Sequence, residues 1–304
     1  ITLIVLTISV AMLKHMSSMG KSGSRLDRCL IVNRGAATFN RGNIISYPSY
    51  NLLDKYVRNL KEPEAISLFS EGNELVVYAK DKRIPLKIKH TDNVFWEIAE
   101  FSFLKGMPYD KEALDRADMV TVITDLTERK IFGTKSALGE YLETSMGTYR
   151  IIGIIPNKEI GAMFLSADIY APITTSIAHL NNEKIWGGAN ALVQAADKSQ
   201  FPLIKSEFQS HMDQVVKDYK EKLELESFDC FIGSMIESTA NVVNQSEFVY
   251  LFGIIGLMIL FMLAGAFFAP LPIMAMGIFV AFVQAFVFFL LSIMYFSGSM
   301  EHAH

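Results

Sequence analysis

The side chains able to do chemistry are few and scattered. Six histidines, His15, His90, His179, His211, His302 and His304, are spread along 304 residues. None stands in H-E-x-x-H, the spacing that sets two imidazoles on one helix face around zinc. No G-x-S-x-G turn is present to raise a nucleophilic serine above a sheet. Gly133-Thr134-Lys135-Ser136 has the residue types of a phosphate loop but lacks the G-x-x-x-x-G-K-[ST] spacing that wraps a phosphate in backbone amides. Cys29 and Cys230 form no C-x-x-C pair, so zinc spacing is absent. They are read as buried thiols, with a disulfide open to them only outside the cytoplasm. The ending Glu301-His302-Ala303-His304 is read as a frayed polar tail rather than a metal site. Catalysis, cofactor binding and metal binding are therefore not expected. One polar group stands out by its position: Gln284, inside Phe279-Val-Ala-Phe-Val-Gln-Ala-Phe-Val-Phe-Phe289. A polar side chain in such a setting is costly and is a candidate functional group.

The elements that would position these residues fall into two kinds. All 28 Lys and Arg, and every acidic residue except Glu301, lie between Lys14 and Glu247. From Phe248 to Met300 there is no charged residue and no histidine. A membrane helix needs about 20 apolar residues. Residues 248–269 supply 22 and residues 273–297 supply 25, with Pro270 and Pro272 between them. The pattern predicts helix, proline turn, helix across a lipid bilayer. The opening Ile1-Thr-Leu-Ile-Val-Leu-Thr-Ile-Ser-Val-Ala-Met-Leu13 is too short for a full span, and residues 1–16 are read as part of a membrane helix.

The charged middle, residues 17–247, is long enough for a substantial core. It carries 28 basic residues against 31 of the 32 acidic ones, so nucleic acid is not an expected partner. The basic tract Tyr78–His90 alternates with apolar residues at strand spacing and is read as solvated strand faces. Arg28–Gly35 reads as a strand. Tyr47–Lys61 reads as a helix capped by Ser46 or Ser49, with Leu52, Leu53, Tyr56, Val57 and Leu60 on one face. Asn73–His90 reads as a hairpin turning at Lys80-Asp81-Lys82. Met119–Asp125 reads as a buried strand, followed by a short helix ended by Gly133. Glu143–Asn157 reads as a second hairpin turning at Met146-Gly147. Ala167–Thr175 and Asn190–Ala196 read as strands, Phe201–Tyr219 as an amphipathic helix, and Leu223–Cys230 as a last strand. Strands and helices mix without strict alternation, so the class is α+β.

The segment from Val94 to Asn157 resembles the periplasmic core domain of MacB/FtsX-type ABC transporter permeases. Three motifs carry the resemblance, in order. The first is Phe101, Phe103, Leu104 and Gly106. The second is Val122, Ile123, Phe132, Gly133, Leu138 and Gly139. The third is Gly147, Tyr149, Ile152, Gly153 and Ile154. The likeness covers about residues 1–262. None of these residues is catalytic in type. Phe101 and Phe103 are expected in the core, Gly133 and Gly139 at the end of a helix and in a loop, and Gly147 in a tight hairpin turn. The resemblance implies an extracytoplasmic domain in the bacterial inner membrane, a separate cytoplasmic ABC ATPase as partner, and a homodimer or heterodimer of permeases. The outer domain would then act as a mechanical element in ATP-driven export or signal relay.

The last 35 or so residues resemble the C-terminal end of subunit a of the F-type ATP synthase. Pro270, Leu271, Pro272, Met274, Gly277, Phe279, Gln284, Ala285, Phe288, Leu291 and Tyr295 carry that likeness. In that family the glutamine faces the proton-carrying ring beside an arginine of the preceding helix. Residues 248–269 contain no arginine. The readings left open by the residues are a permease subunit, a membrane-anchored binding or relay module without transport, and a proton-channel fragment. For Gln284 the alternative to a proton path is a helix–helix hydrogen bond worth about 1 kcal/mol.

Overall fold

The computed structural model describes residues 25–40, 42–79, 82–157, 164–176, 184–235, 237, 238, 256 and 270–301. The expected membrane segments at 1–16 and 248–269 lie outside these residues, apart from the helical Gly256. His302 and His304 also lie outside them. One compact unit lies within Leu6–Asn241, and a second takes in the C-terminal helix.

The strands are β1 (Cys29–Phe39), β2 (Gly42–Ser46), β3 (Ala65–Ser70), β4 (Asn73–Ala79), β5 (Lys82–Thr91), β6 (Lys105–Gly106), β7 (Val120–Thr124), β8 (Tyr141–Thr144), β9 (Gly147–Ile155), β10 (Ile169–Pro172), β11 (Ala189–Gln194) and β12 (Leu225–Ser234). The helices are α1 (Tyr50–Tyr56), α2 (Val94–Ala99), α3 (Lys111–Asp115), α4 (Asp125–Phe132), α5 (Phe201–Leu223) and α6 (Pro270–Glu301).

Two sheet bodies share β5. Strands β3, β11, β1 and β12 form an open antiparallel sheet in that order. Strands β5, β4, β8, β9, β7 and β10 pair in sequence, and β10 returns to β5, closing a six-stranded ring. Closure leaves no free edge in that part of the sheet. The β7–β9 and β10–β5 pairs are parallel and the rest antiparallel. This is a mixed α/β arrangement.

The alternation of β1 sorts its side chains onto two cores. Leu30 and Val32 point to α1 and α5, whereas Cys29 and Ile31 point to α2. On the first face α1 buries Leu52, Leu53 and Tyr56, and α5 buries Ile204, Phe208, Met212 and Val215 at helical spacing. Each such side chain contributes about 1.5–3 kcal/mol when fully buried. Ser49, not Ser46, caps α1, its hydroxyl accepting from Leu52 N at 3.1 Å. Inside the ring lie Leu75, Val77, Ile88, Ile123, Leu142, Tyr149, Ile151, Ile154 and Ile169.

Several sequence readings need correction. The second hairpin turns at Ser145-Met146, because Thr144 already pairs with Gly147. Lys82 is a strand residue paired with Ala79, not part of the turn. The strand read at Ala167–Thr175 ends at Pro172 and passes into a 3-10 turn at Ile173–Thr175. The basic tract is not wholly solvated: Lys89 is buried, 1% exposed, because β5 leaves the ring there and is covered on both sides.

Helix α6 starts at Pro270 with Pro272 in its first turn, where a missing amide donor costs nothing. Its stretch Met274–Ser292 has a mean hydropathy of 2.4, long and apolar enough to cross a membrane. Phe282, Phe288 and Leu291 lie outward on it, as does Gln284.

Candidate functional site

The three motifs gather along the β7–β9 wall of the ring, with Phe101 and Phe103 packed into the core between that wall and the open sheet. Asp92, just past β5, organises the approach. Its carboxylate accepts from Leu68 N at 2.8 Å, Ser67 Oγ at 2.7 Å and Phe95 N at 3.1 Å. The last bond caps α2, which its nominal cap residue Asn93 does not do. Arg58 completes the shell at 3.2 Å. Burial pushes the Asp92 carboxyl up, opposed by the Leu68 amide, the Ser67 hydroxyl and Arg58.

Capping sets α2 so that Phe95 and Trp96 enter the core. Trp96 packs against Phe101 at 5.3 Å, Phe103 at 5.4 Å, Tyr109 at 5.3 Å and Tyr170 at 5.5 Å between ring centroids. Such pairs are worth about 0.5–1.5 kcal/mol each beyond area burial. Phe101 and Phe103 are half-buried, so they form the rim of this cluster rather than its centre. Tyr109 is fully enclosed, bonded to Thr91 and donating to Ala171 O at 3.0 Å; burial raises its hydroxyl pKa beyond the usual range.

The Phe-rich segment then crosses the ring. Gly106 of β6 pairs in register with Gly153 of β9. A Cβ on Gly106 would lie 2.0 Å from Ile152 O, and its φ is +70°. A Cβ on Gly153 would lie 2.8 Å from both Met107 O and the Phe103 ring. Only glycine at both positions lets the strands close.

Glu128 of α4 fastens this crossing from the other side. It accepts from Lys105 Nζ at 3.0 Å and from Ala137 N at 2.9 Å, joining β6, α4 and the loop that follows. Gly133 ends α4 at φ +70°, and Gly139 opens the approach to β8 at φ +88°. Gly147 begins β9 at φ +129°, and Tyr149 is buried inside the ring. Phe132 is half-buried against the ring interior. Motif residues thus gather around one wall of the ring, except Gln284, which belongs to α6.

Two grooves flank that wall. One, of about 460 Å³, runs between Gly106–Asp110, Arg116, Leu138, Gly139 and Arg150. The other, of about 860 Å³, lies between Tyr78, Phe132–Ser136 and Tyr141. Leu104, Met107 and Leu138 are exposed beside the first. No cluster of three or more His, Cys, Asp or Glu able to hold a metal exists among the described residues. Cys29 and Cys230 are free, buried thiols that belong to different cores. Burial pushes Cys29 up to about 12 and Cys230 higher still. Sequence reading missed Asp92, Glu128 and Lys89, since nothing in their local spacing marks a buried charge.

The domain is thus a six-stranded ring and an open sheet joined through β5, with the motif glycines Gly106 and Gly153 at the β6–β9 crossing. The family model for the MacB-like periplasmic core domain matches residues 1–211, and the chain belongs to that family. Its fold is similar to the periplasmic region of MacB from Actinobacillus actinomycetemcomitans, with a TM-score of 0.52 and 12% identity, covering 72% of this chain and 94% of that one. The extracellular domain of the noncanonic ABC-type transporter YknZ from Gram-positive bacteria aligns at a TM-score of 0.49 and 11% identity, over 66% of this chain and 99% of that one.

The C-terminus has a different likeness. Over 48 residues it is 88% identical to ATP synthase subunit a of Desulfosudis oleivorans, covering 16% of this chain and 21% of that protein. Over 46 residues it is 63% identical to the Syntrophobacter fumaroxidans subunit a, covering 15% of this chain and 19% of that protein. The chain thus spans about a fifth of the length of these curated relatives.

Proposed function

We propose that this chain is a non-catalytic permease subunit of an ABC transporter, its sheet-and-ring domain acting as a mechanical element outside the inner membrane. One observation carries the reading: Leu30 near the start of β1 pairs with Ser234 at the end of β12. The chain enters and leaves the domain side by side, on two antiparallel neighbours at the middle and edge of the open sheet. A relative movement of the flanking segments would act directly on that pair and, through β11 and β3, on β5 and the ring. Residues 1–16, 248–269 and 273–297 supply the membrane segments in this account. An ABC ATPase on the cytoplasmic side supplies the energy, and a second permease completes the assembly.

Thiol labelling tests the placement. Cys29 and Cys230 are buried, so a cysteine introduced at the exposed Lys135 becomes the reactive thiol. Lys135→Cys should react with a membrane-impermeant maleimide in intact spheroplasts. Reaction only after lysis would place the domain inside and end the proposal.

The likeness of the last 48 residues to subunit a favours a second reading, a proton path along α6 through Gln284. It predicts proton flux in vesicles that is lost in Gln284→Leu. The first reading predicts no flux above that of empty vesicles and no effect of the substitution.

A further inference from the structure

Among the described residues, Lys89 is the one lysine with a fully buried side chain. It sits on β5 at the point where that strand passes from the ring to the open sheet. Its backbone position pairs with Tyr170 of β10, and two residues on, Thr91 pairs with Phe69 of β3. Its side chain turns back along β3. Nζ donates to Ser70 O at 3.2 Å and to Glu71 O, while the Phe69 ring centroid lies 5.4 Å away. Ser70 and Glu71 lead into Gly72, the link from β3 in the sheet to β4 in the ring.

That link is tightly drawn. Gly72 has φ +106°, and a Cβ there would meet Lys87 Cε at 2.7 Å and Lys89 Cγ at 3.3 Å. The Glu71 amide donates to Gly188 O at 2.9 Å, anchoring the link to the chain before β11. The Ser70 hydroxyl accepts from His90 N at 2.9 Å. Lys89 thus closes a turn through which one of the connections between the two bodies runs.

Burial distinguishes the two protonation states. Lys89 is 1% exposed, and the partners of its Nζ are two backbone carbonyls and the Phe69 ring face, none of them a counter-charge. Losing the hydration of an ammonium costs more than these neutral partners return, so the closed turn favours the neutral amine and water accommodates the charged form better.

We propose that Lys89 is a proton-operated latch on the β3–β4 link, closed over a neutral amine and released when the amine takes up a proton and hydrates. The surroundings support this sign. Burial lowers the Lys89 pKa from 10.5 to about 7, Lys87 adding to the effect and Glu71 opposing it. The other polar neighbours are accounted for. Asp168, ahead of β10, is engaged by the Lys87 amide at 2.8 Å. Tyr47 offers its hydroxyl to the Glu71 side chain. His90 lies on the opposite face of β5, by strand alternation. The open turn binds the proton with the ordinary affinity of a lysine, so acid favours opening. The open population rises about tenfold for each pH unit between 10.5 and 7, then levels off below 7.

Hydrogen exchange on the full chain in detergent micelles reads this opening. The protection factor of the Glu71 amide should fall about tenfold per unit from pH 9 to pH 7. Lys89→Met keeps the length and removes the proton site, and its Glu71 protection should be flat over that range. Equal pH dependence in both proteins, or a flat profile in the unsubstituted chain, overturns the latch. Should Lys89→Met fail to fold, the Lys89 Nζ resonance of lysine-labelled protein, set apart by its ring-current shift from Phe69, gives an independent reading. Titration near 7 supports the proposal, and titration near 10.5 overturns it.

Discussion

Gly106 and Gly153 lie opposite each other across β6 and β9, and neither can carry a side chain without moving a backbone carbonyl. They are the point where the Phe-rich segment crosses the wall of the ring. Gly153 has no positive φ, so its requirement is purely one of space. Gly153→Ala should cost about 1–3 kcal/mol, the range for overpacking. Gly106→Ala should cost more, because it adds a left-handed backbone to the closest approach of the pair. Thermal unfolding followed by the fluorescence of Trp96, which packs on Phe103, measures both. Unchanged midpoints would show that the crossing is loose.

Glu128 serves two donors, and two substitutions separate them. Glu128→Gln keeps an oxygen for the Ala137 amide and gives up the charge facing Lys105. Half-exposed Lys105 limits that loss to below about 1 kcal/mol. Glu128→Ala leaves the buried Ala137 N–H without its partner and should cost about 1–3 kcal/mol. Equal melting of the two variants would show that the loop after α4 does not depend on this carboxylate.

Acid sensitivity should trace to Asp218 on α5. Tyr56 donates to it at 2.6 Å, Lys55 at 2.9 Å and Gln214 at 2.6 Å, and these bonds hold its carboxyl at about 2 against an ordinary 3.8. As pH falls, the unfolded chain takes up this proton first. The contribution is therefore complete above pH 3.8 and lost as pH falls towards 2. Melting curves across that window should flatten in Asp218→Asn. An unchanged acid limb would assign the effect to other carboxylates.

The two thiols should be inert in the folded protein. Burial favours the protonated form of both, and they sit in different cores. A maleimide should modify neither under native conditions and both in denaturant, and oxidised and reduced samples should migrate alike on a gel. A shift on reduction would contradict the separation of the cores.

Part of the order of elements was legible where local rules are strong, but β2, β3, β6, α2 and α3 were not read from the sequence. Ser49 caps α1, Gly133 ends α4, and the buried faces of α1 and α5 follow helical spacing as read. Gly133, Gly139 and Gly147 were legible as cap and turn glycines, each at positive φ, whereas the close crossing of Gly106 and Gly153 had no local sign. The closure of the ring was not legible, since it depends on β10 returning to β5 across about 80 residues, a contact with no local signature. Lys89 was misread for a related reason. Alternation assigned it to a strand face, but which faces are covered depends on the sheet that β5 enters. The half-turn error at Gly147 arose because glycine marks a turn without fixing its register: Gly147 is the first strand residue after the turn. Phe101 and Phe103 were read as core residues, and they pack on the core half-buried, at the rim around Trp96.

The central claim is that this chain works as an ABC permease subunit, and its partner tests it most directly. The full chain should be purified from its native membrane under mild detergent and the bound proteins identified and quantified. The account predicts an ABC-type ATPase in near-stoichiometric amount, retained with ATP and a magnesium ion present. Recovery of F-type ATP synthase subunits in its place, or of the chain alone, would contradict it.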